Sequence, residues 1–196
     1  MLHTFEMRWF FDDRPLSPDA HFDTTTTLQR RTDWYSMPCN PKCGIKLREG
    51  RFESKLLDEC CGVREFGPMT GILESWKKWS LELPRHAEPT EEDLARVDWI
   101  AVEKERYLQR YTVDGETVTE CDQRPLNGCE FEMTTLFVRD KTVWTVGFEA
   151  VGQQENLEVN LRHVAEFVQQ RGGLSGKFTQ ENSFGYAEWL SRMPTS

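Results

Sequence analysis

The chain of 196 residues has no apolar run long enough for a transmembrane helix, so no membrane span is expected. Its start, MLHTFEMRW, lacks the basic residues and apolar core of a signal peptide, which points to a soluble, cytoplasmic protein. Positive charge is in short supply. With 24 Lys and Arg against 33 Asp and Glu, the formal net charge is -9. A general nucleic-acid binder needs a basic footprint, and this composition excludes that class. It does not exclude a small basic pocket, because local charge decides small-ligand binding.

Catalytic and metal motifs are equally scarce. The four histidines, His3, His21, His86 and His163, are scattered without metal-ligand spacing. Ser175 and Ser183 stand in no nucleophile context. RGGLSGKF does not meet the GxxxxGK pattern, and no strand precedes it. The six cysteines, Cys39, Cys43, Cys60, Cys61, Cys121 and Cys129, match no common zinc spacing; without an export signal they read as reduced thiols.

What the chain does have is a large apolar complement, with 38% hydrophobic residues, twelve Phe and seven Trp. That is enough for one domain with a sizeable core, and no linker, repeat or low-complexity segment divides residues 1–196. A first strand is expected at about His3–Phe11 and a short helix behind Ser17 and Pro18. A second strand is expected at about Thr32–Met37, then a hairpin turning at Glu49-Gly50, and a separate short strand in VREFG. GILESWKKWSLELP suits strand or helix, and its β-rich surroundings favour strand. PTEEDLA reads as one helical turn. From about Arg96 to Gly152 strand follows strand, with turns at Asp114-Gly115 and Asp140-Lys141. C-terminal helices span about 156–193, one with Leu157, Leu161, Val164 and Val168 on one face and one capped by Asn182 or Ser183. The fold class expected is mainly β: a closed or nearly closed antiparallel barrel of about eight strands with peripheral helices.

The strand-like stretches share a pattern. Charged residues occupy alternate positions: Glu6 and Arg8, Lys46 and Arg48, Glu53 and Lys55, Lys104 and Arg106, Glu130 and Glu132. Strand side chains alternate between faces, so each pair shares one face. Such faces point to solvent in an ordinary antiparallel sheet, or line the interior of a closed one.

The order of these motifs resembles the CYTH-like superfamily, the triphosphate tunnel metalloenzymes. The resemblance rests on FEMRWFF, GIKLREG with RFESK, VEKERY, EFEM and the ending ENSFGYAEWL, which together span most of the chain. It implies an eight-stranded tunnel binding a small anionic ligand such as a triphosphate. Arg8, Lys46, Arg48, Lys55, Lys104 and Arg106 would contact the phosphates, and Glu6, Glu130, Glu132 and Glu149 would hold Mg2+ or Mn2+. The family's ExExK signature reads Thr4, Glu6, Arg8 here, so the first metal-binding Glu is replaced. Two functions follow as expectations: a metal-dependent phosphohydrolase of tripolyphosphate or an organic triphosphate, or a non-catalytic barrel that binds an anionic or aromatic small molecule.

Overall fold

Alternation of apolar and polar residues sets the strands, and a computed structural model shows how they close. It describes residues 1–23, 26–37, 40–84, 86, 89–172, 174 and 176–193. Nine strands form one antiparallel sheet: β1 Leu2–Phe11, β2 Gln29–Ser36, β3 Cys43–Arg48, β4 Arg51–Phe66, β5 Met69–Glu82, β6 Trp99–Asp114, β7 Thr117–Cys121, β8 Gly128–Val138 and β9 Lys141–Val151. Their order is β2-β3-β4-β5-β1-β9-β8-β6-β7, and a further β2–β6 ladder closes eight of them into a barrel. The strand β7 continues beyond the barrel as a hairpin extension of β6. Among the described residues three α-helices complete the fold, α1 Glu91–Ala95, α2 Leu157–Gly172 and α3 Tyr186–Ser191, and the expected short helix behind Ser17 is a 3-10 turn at Pro18–Ala20. None among the described residues is long and apolar enough to cross a membrane.

The expected barrel is therefore present, with differences that have local causes. The VREFG segment is the far end of one 16-residue strand, β4. Register shifts at Leu57/Glu59 and Cys60/Gly62 leave Asp58 and Cys61 as extra residues, and Gly62 takes a positive φ of 86°. Such bulges bend a strand without ending it, which mimics a break in the sequence pattern. The turn at Glu49-Gly50 is as expected, both residues having positive φ. The turns after β6 and β8 fall at Gly115-Glu116 and Arg139-Asp140, one residue from the expected pairs, because the ladders pair Asp114 with Thr117 and Val138 with Lys141. The second strand starts earlier than expected, at Gln29.

Neither Asn182 nor Ser183 caps α3; Gly185 does. Ser183 is used elsewhere, its hydroxyl accepting from the Ile72 N–H at 2.8 Å, while the Phe184 N–H donates to the Arg8 carbonyl at 3.0 Å. A Cβ on Gly185 would lie 2.8 Å from both Glu74 and Trp76, so only glycine fits at this entry.

Two apolar clusters lie on opposite sides of the barrel wall. Met7, Trp9, Phe131, Phe148 and Val146 face outward and pack under Leu157, Leu161, Val164 and Val168 of α2. Phe10, Ile100, Val102, Leu136 and Val138 face inward at one end, and Phe184, Trp189 and Leu190 plug it. Phe10 stacks on Phe184 with centroids 4.9 Å apart. Substituting Leu161 by Ala should lower unfolding free energy by about 2–5 kcal/mol. Val159→Ala, on the exposed face of α2, should stay within about 0.5 kcal/mol. Urea denaturation of both variants measures the contrast.

Candidate functional site: a cation-rich barrel interior

The wall left over after the plug is where the charges go. A cavity of about 250 Å3 opens inside the barrel, and all ten residues named from the sequence line it: Glu6, Arg8, Lys46, Arg48, Lys55, Lys104, Arg106, Glu130, Glu132 and Glu149. The alternating faces thus point inward. The lining also holds Arg31, Tyr35, Glu53, Trp76, Lys78, Arg110, Arg124, Thr134 and Tyr186. In total it presents ten Lys and Arg side chains against five Glu, in a protein whose net charge is -9.

Each carboxylate sits among cations. Glu6 accepts from Arg8 Nε at 2.8 Å and from Lys55. Arg8 Nη1 also donates to Glu132 at 2.6 Å and to the Thr145 hydroxyl at 3.1 Å. Arg106 reaches the other Glu132 oxygen at 3.3 Å. Glu149 pairs with Arg124 at 2.6 Å, and Glu130 with Arg110 at 2.9 Å. Glu53 pairs with Arg48 at 2.6 Å and Lys46 at 3.1 Å. Arg8 has room to cross the barrel because Gly147 faces it; a Cβ there would lie 2.7 Å from its Cζ.

Asp33, fully buried, is the hub of the second half. Arg31, Lys46 and Lys104 approach it at 3.1, 3.2 and 2.9 Å. The Lys104 ammonium also donates to the Tyr35 hydroxyl at 2.8 Å and lies 4.0 Å from the centroid of Tyr186. Burial opposes charge at Asp33, Glu132 and Glu149, but the surrounding cations outweigh it and hold all three below the usual carboxylate range. Burial is also the main force on Lys46 and Lys104, bringing both down to about 8 in spite of Asp33. Three polar atoms of the lining, Arg48 Nε, Glu53 Oε2 and Thr134 Oγ1, are buried without a hydrogen-bond partner, although Glu53 Oε2 lies 3.1 Å from the Lys46 ammonium.

A row of glutamates crosses four neighbouring strands. Glu6 pairs with Glu74 on one side and Glu149 on the other, and Glu149 pairs with Glu130. Strands are about 4.8 Å apart, so this row concentrates negative charge. Cations answer three of its members. Glu74 has only the Trp76 indole N–H, at 3.1 Å, and burial followed by the charge of Glu6 pushes it up to about 7. Thr4, at the first position of the expected signature, is fully buried and its hydroxyl has no partner. Among the described residues no three His, Cys, Asp or Glu side chains converge as a metal-holding group. The five described cysteines are unpaired thiols, while Cys39 and Ser175 lie outside the described residues.

Asp33, Arg31, Tyr35, Lys78, Arg110, Arg124 and Tyr186 were not among the residues expected in the site. Arg31 and Asp33 share a period-two face in QRRTDWYS, and Arg110 extends the face of Lys104 and Arg106, so those signals were present. Arg124 comes from the loop between β7 and β8, where no periodicity marks it.

No protein family matches the chain, and no curated protein does. Among solved structures, the PH1819 protein from Pyrococcus horikoshii OT3 is similar, with 13% identity, a TM-score of 0.45, and coverage of 95% of this chain and 97% of that one. The chemistry of the site rests on the residues described above.

Glu74 gives a pH test. Its folded pKa of about 7 exceeds the ordinary 4.5, so between those values the folded chain keeps a proton that the unfolded chain has lost. Stability attributable to Glu74 should therefore fall as pH rises through this window, by about 3 kcal/mol. The depressed carboxylates act in the other direction and lower: their contribution is present above pH 4.5 and is lost as pH falls below it. In Glu74→Gln the decline toward neutral pH should vanish while the acid limb remains, as read by denaturation at a series of pH values.

Proposed function

We propose that this barrel is a receptor for a small polyanion, with a triphosphate group as the recognised moiety. The observation that carries the reading is the excess of cations in the cavity lining. Ten Lys and Arg face five glutamates and the adjoining Asp33, leaving about four positive charges unanswered. A triphosphate carries about four negative charges near neutral pH. Guanidinium groups suit its oxygens, because their planar forks make paired hydrogen bonds. Arg48 Nε and Thr134 Oγ1, buried without a hydrogen-bond partner, are further polar atoms available to such a ligand. The resemblance of the motif order to the CYTH-like superfamily supports the same ligand class, and the ten charged residues it named all line the cavity.

Metal-dependent hydrolysis is the second reading, favoured by the row Glu6, Glu149 and Glu130 on adjacent strands. Mg2+ or Mn2+ takes oxygen ligands of this kind. The carboxylates as they stand do not fit a divalent ion, because Lys55, Arg124 and Arg110 occupy them and among the described residues no three converge. With Thr4 in place of a further carboxylate, binding is better supported than turnover.

Calorimetric titration with inorganic tripolyphosphate and with nucleoside triphosphates tests the proposal. Micromolar or tighter binding is expected, weakening as salt rises. Arg106→Gln, which removes one cation from the lining, should weaken it at least tenfold. Absence of binding by either compound would overturn the reading. Phosphate release measured in parallel with Mg2+ or Mn2+ decides between receptor and hydrolase.

A further inference from the structure

Two of the cavity's cations are amines that converge on one atom. Lys46 on β3 and Lys104 on β6 both reach Asp33 Oδ2, at 3.2 and 2.9 Å. Lys46 also lies 3.1 Å from Glu53 and 6.0 Å from the centroid of Tyr35. Its side chain is 17% exposed and that of Lys104 is 3% exposed, so Lys46 is the amine a ligand can reach. Burial brings Lys46 down to about 8, helped by the charges of Lys104 and Arg48 and opposed by Asp33 and Glu53. At pH 8 about half of Lys46 is then free amine, roughly a hundred times the share of an exposed lysine. Burial works against charge at Lys55 as well, but there Glu6 and Glu149 outweigh it and keep the ammonium charged. Arg48 follows Lys46 on the same face of β3. Its Nε is buried without a hydrogen-bond partner, with a Glu49 oxygen 3.9 Å away. For holding an anion alone, a guanidinium would serve better at position 46, since it keeps its charge when buried. What an amine offers instead is a lone pair.

We propose that Lys46 forms an imine with a small aldehyde or ketone that carries a phosphate group. The inference rests on the anion-receptor reading, because the hold of Arg48 and its neighbours on the phosphate brings the carbonyl to the amine. A cavity of about 250 Å3 keeps the compound small. The free amine of Lys46 attacks the carbonyl carbon, and a C–N bond forms. Two protons pass in turn from the nitrogen to the former carbonyl oxygen, which leaves as water as the C=N bond forms. No oxidant or reductant is consumed. Lys104, brought by burial to about 8 and held on the same Asp33 oxygen, is placed to carry each proton. Asp33 fixes both amines, so the nucleophile and the proton carrier stand in one geometry.

Pyridoxal 5′-phosphate, an aldehyde that bears a phosphate, tests it against pyridoxal, which lacks one. The full chain is mixed with each at pH 8, and borohydride fixes any imine. Mass spectrometry should find one adduct per chain with the phosphorylated aldehyde, on the peptide that holds Lys46. Pyridoxal should label Lys46 at least tenfold more slowly. The labelling rate should reach half its maximum at about pH 8, and tripolyphosphate should slow it. Lys46→Arg, which keeps the positive charge and loses the lone pair, should remove the adduct. Labelling spread over several lysines without preference for Lys46 would overturn the proposal, as would equal labelling by the two aldehydes. Tripolyphosphate that binds while Lys46 stays unlabelled would overturn it and leave the receptor reading standing. Preferential labelling of Lys46 by the phosphorylated aldehyde, in a chain that binds no tripolyphosphate, would support the imine and overturn triphosphate as the ligand.

Discussion

The structure depends on burying charge in compensated form. Closing eight strands gives the sheet an inside, and half of every strand must then face it. Where those positions are apolar, at Phe10, Ile100, Val102, Leu136 and Val138, they make a plug. Where they are charged, each ion must find a counter-ion, since an unpaired buried charge costs several kcal/mol. The result is a continuous chain of alternating sign: Lys55 to Glu6 to Arg8 to Glu132 to Arg106 on one side, and Lys104 to Asp33 to Lys46 to Glu53 to Arg48 on the other. Removing one carboxylate from such a chain strands two cations, and removing one cation strands a carboxylate.

The strand β1 shows how this is reconciled with stability. Its odd positions, Met7 and Trp9, join the core under α2, and its even positions, Glu6 and Arg8, enter the cavity. Both faces are buried, yet only one is apolar. The apolar clusters at the α2 wall and at the α3 plug supply the hydrophobic driving force. The charged interior contributes arrangement more than stability, because buried ion pairs roughly balance their own desolvation. A protein selected for stability alone would have little reason to keep a charged lumen.

The barrel was legible because its strands are long and alternate cleanly, and because turn chemistry such as Glu49-Gly50 marks the hairpins. Nine of the ten cavity-lining residues named from the sequence were legible for the same reason, as members of pairs two apart on one face, while Glu149 came from the family resemblance alone. Three kinds of information were not. Register was missed by one residue at two turns, since ladder pairing between distant strands fixes it. The bulges in β4 were missed because an inserted residue disrupts the alternation that marks a strand. Asp33 was missed because alternation reports that a face is polar without reporting which residue lies at the point of convergence. That Arg31, Lys46 and Lys104 all turn to Asp33 is a consequence of closure between β2 and β6, a contact between residues about 70 apart in sequence.

Closure also explains why an acidic protein can hold a basic cavity. Outer faces carry most of the 33 acids in water, where each costs little, and the lumen concentrates ten cations within one small volume. Low-dielectric walls strengthen the lumen's field, while screening weakens that of the exterior. An anion that enters meets cations already held in place by Glu132, Asp33 and Glu149, so little reorganisation is needed to bind it. The carboxylates thus have two opposed effects. They reduce the net positive charge of the lumen, and they fix the cations that a bound anion would contact. On the proposed reading, the four positive charges left over suit an anion of limited charge. A longer polyanion would have to displace the glutamates from their own partners, and under the proposed function that competition would set an upper bound on the ligand's charge.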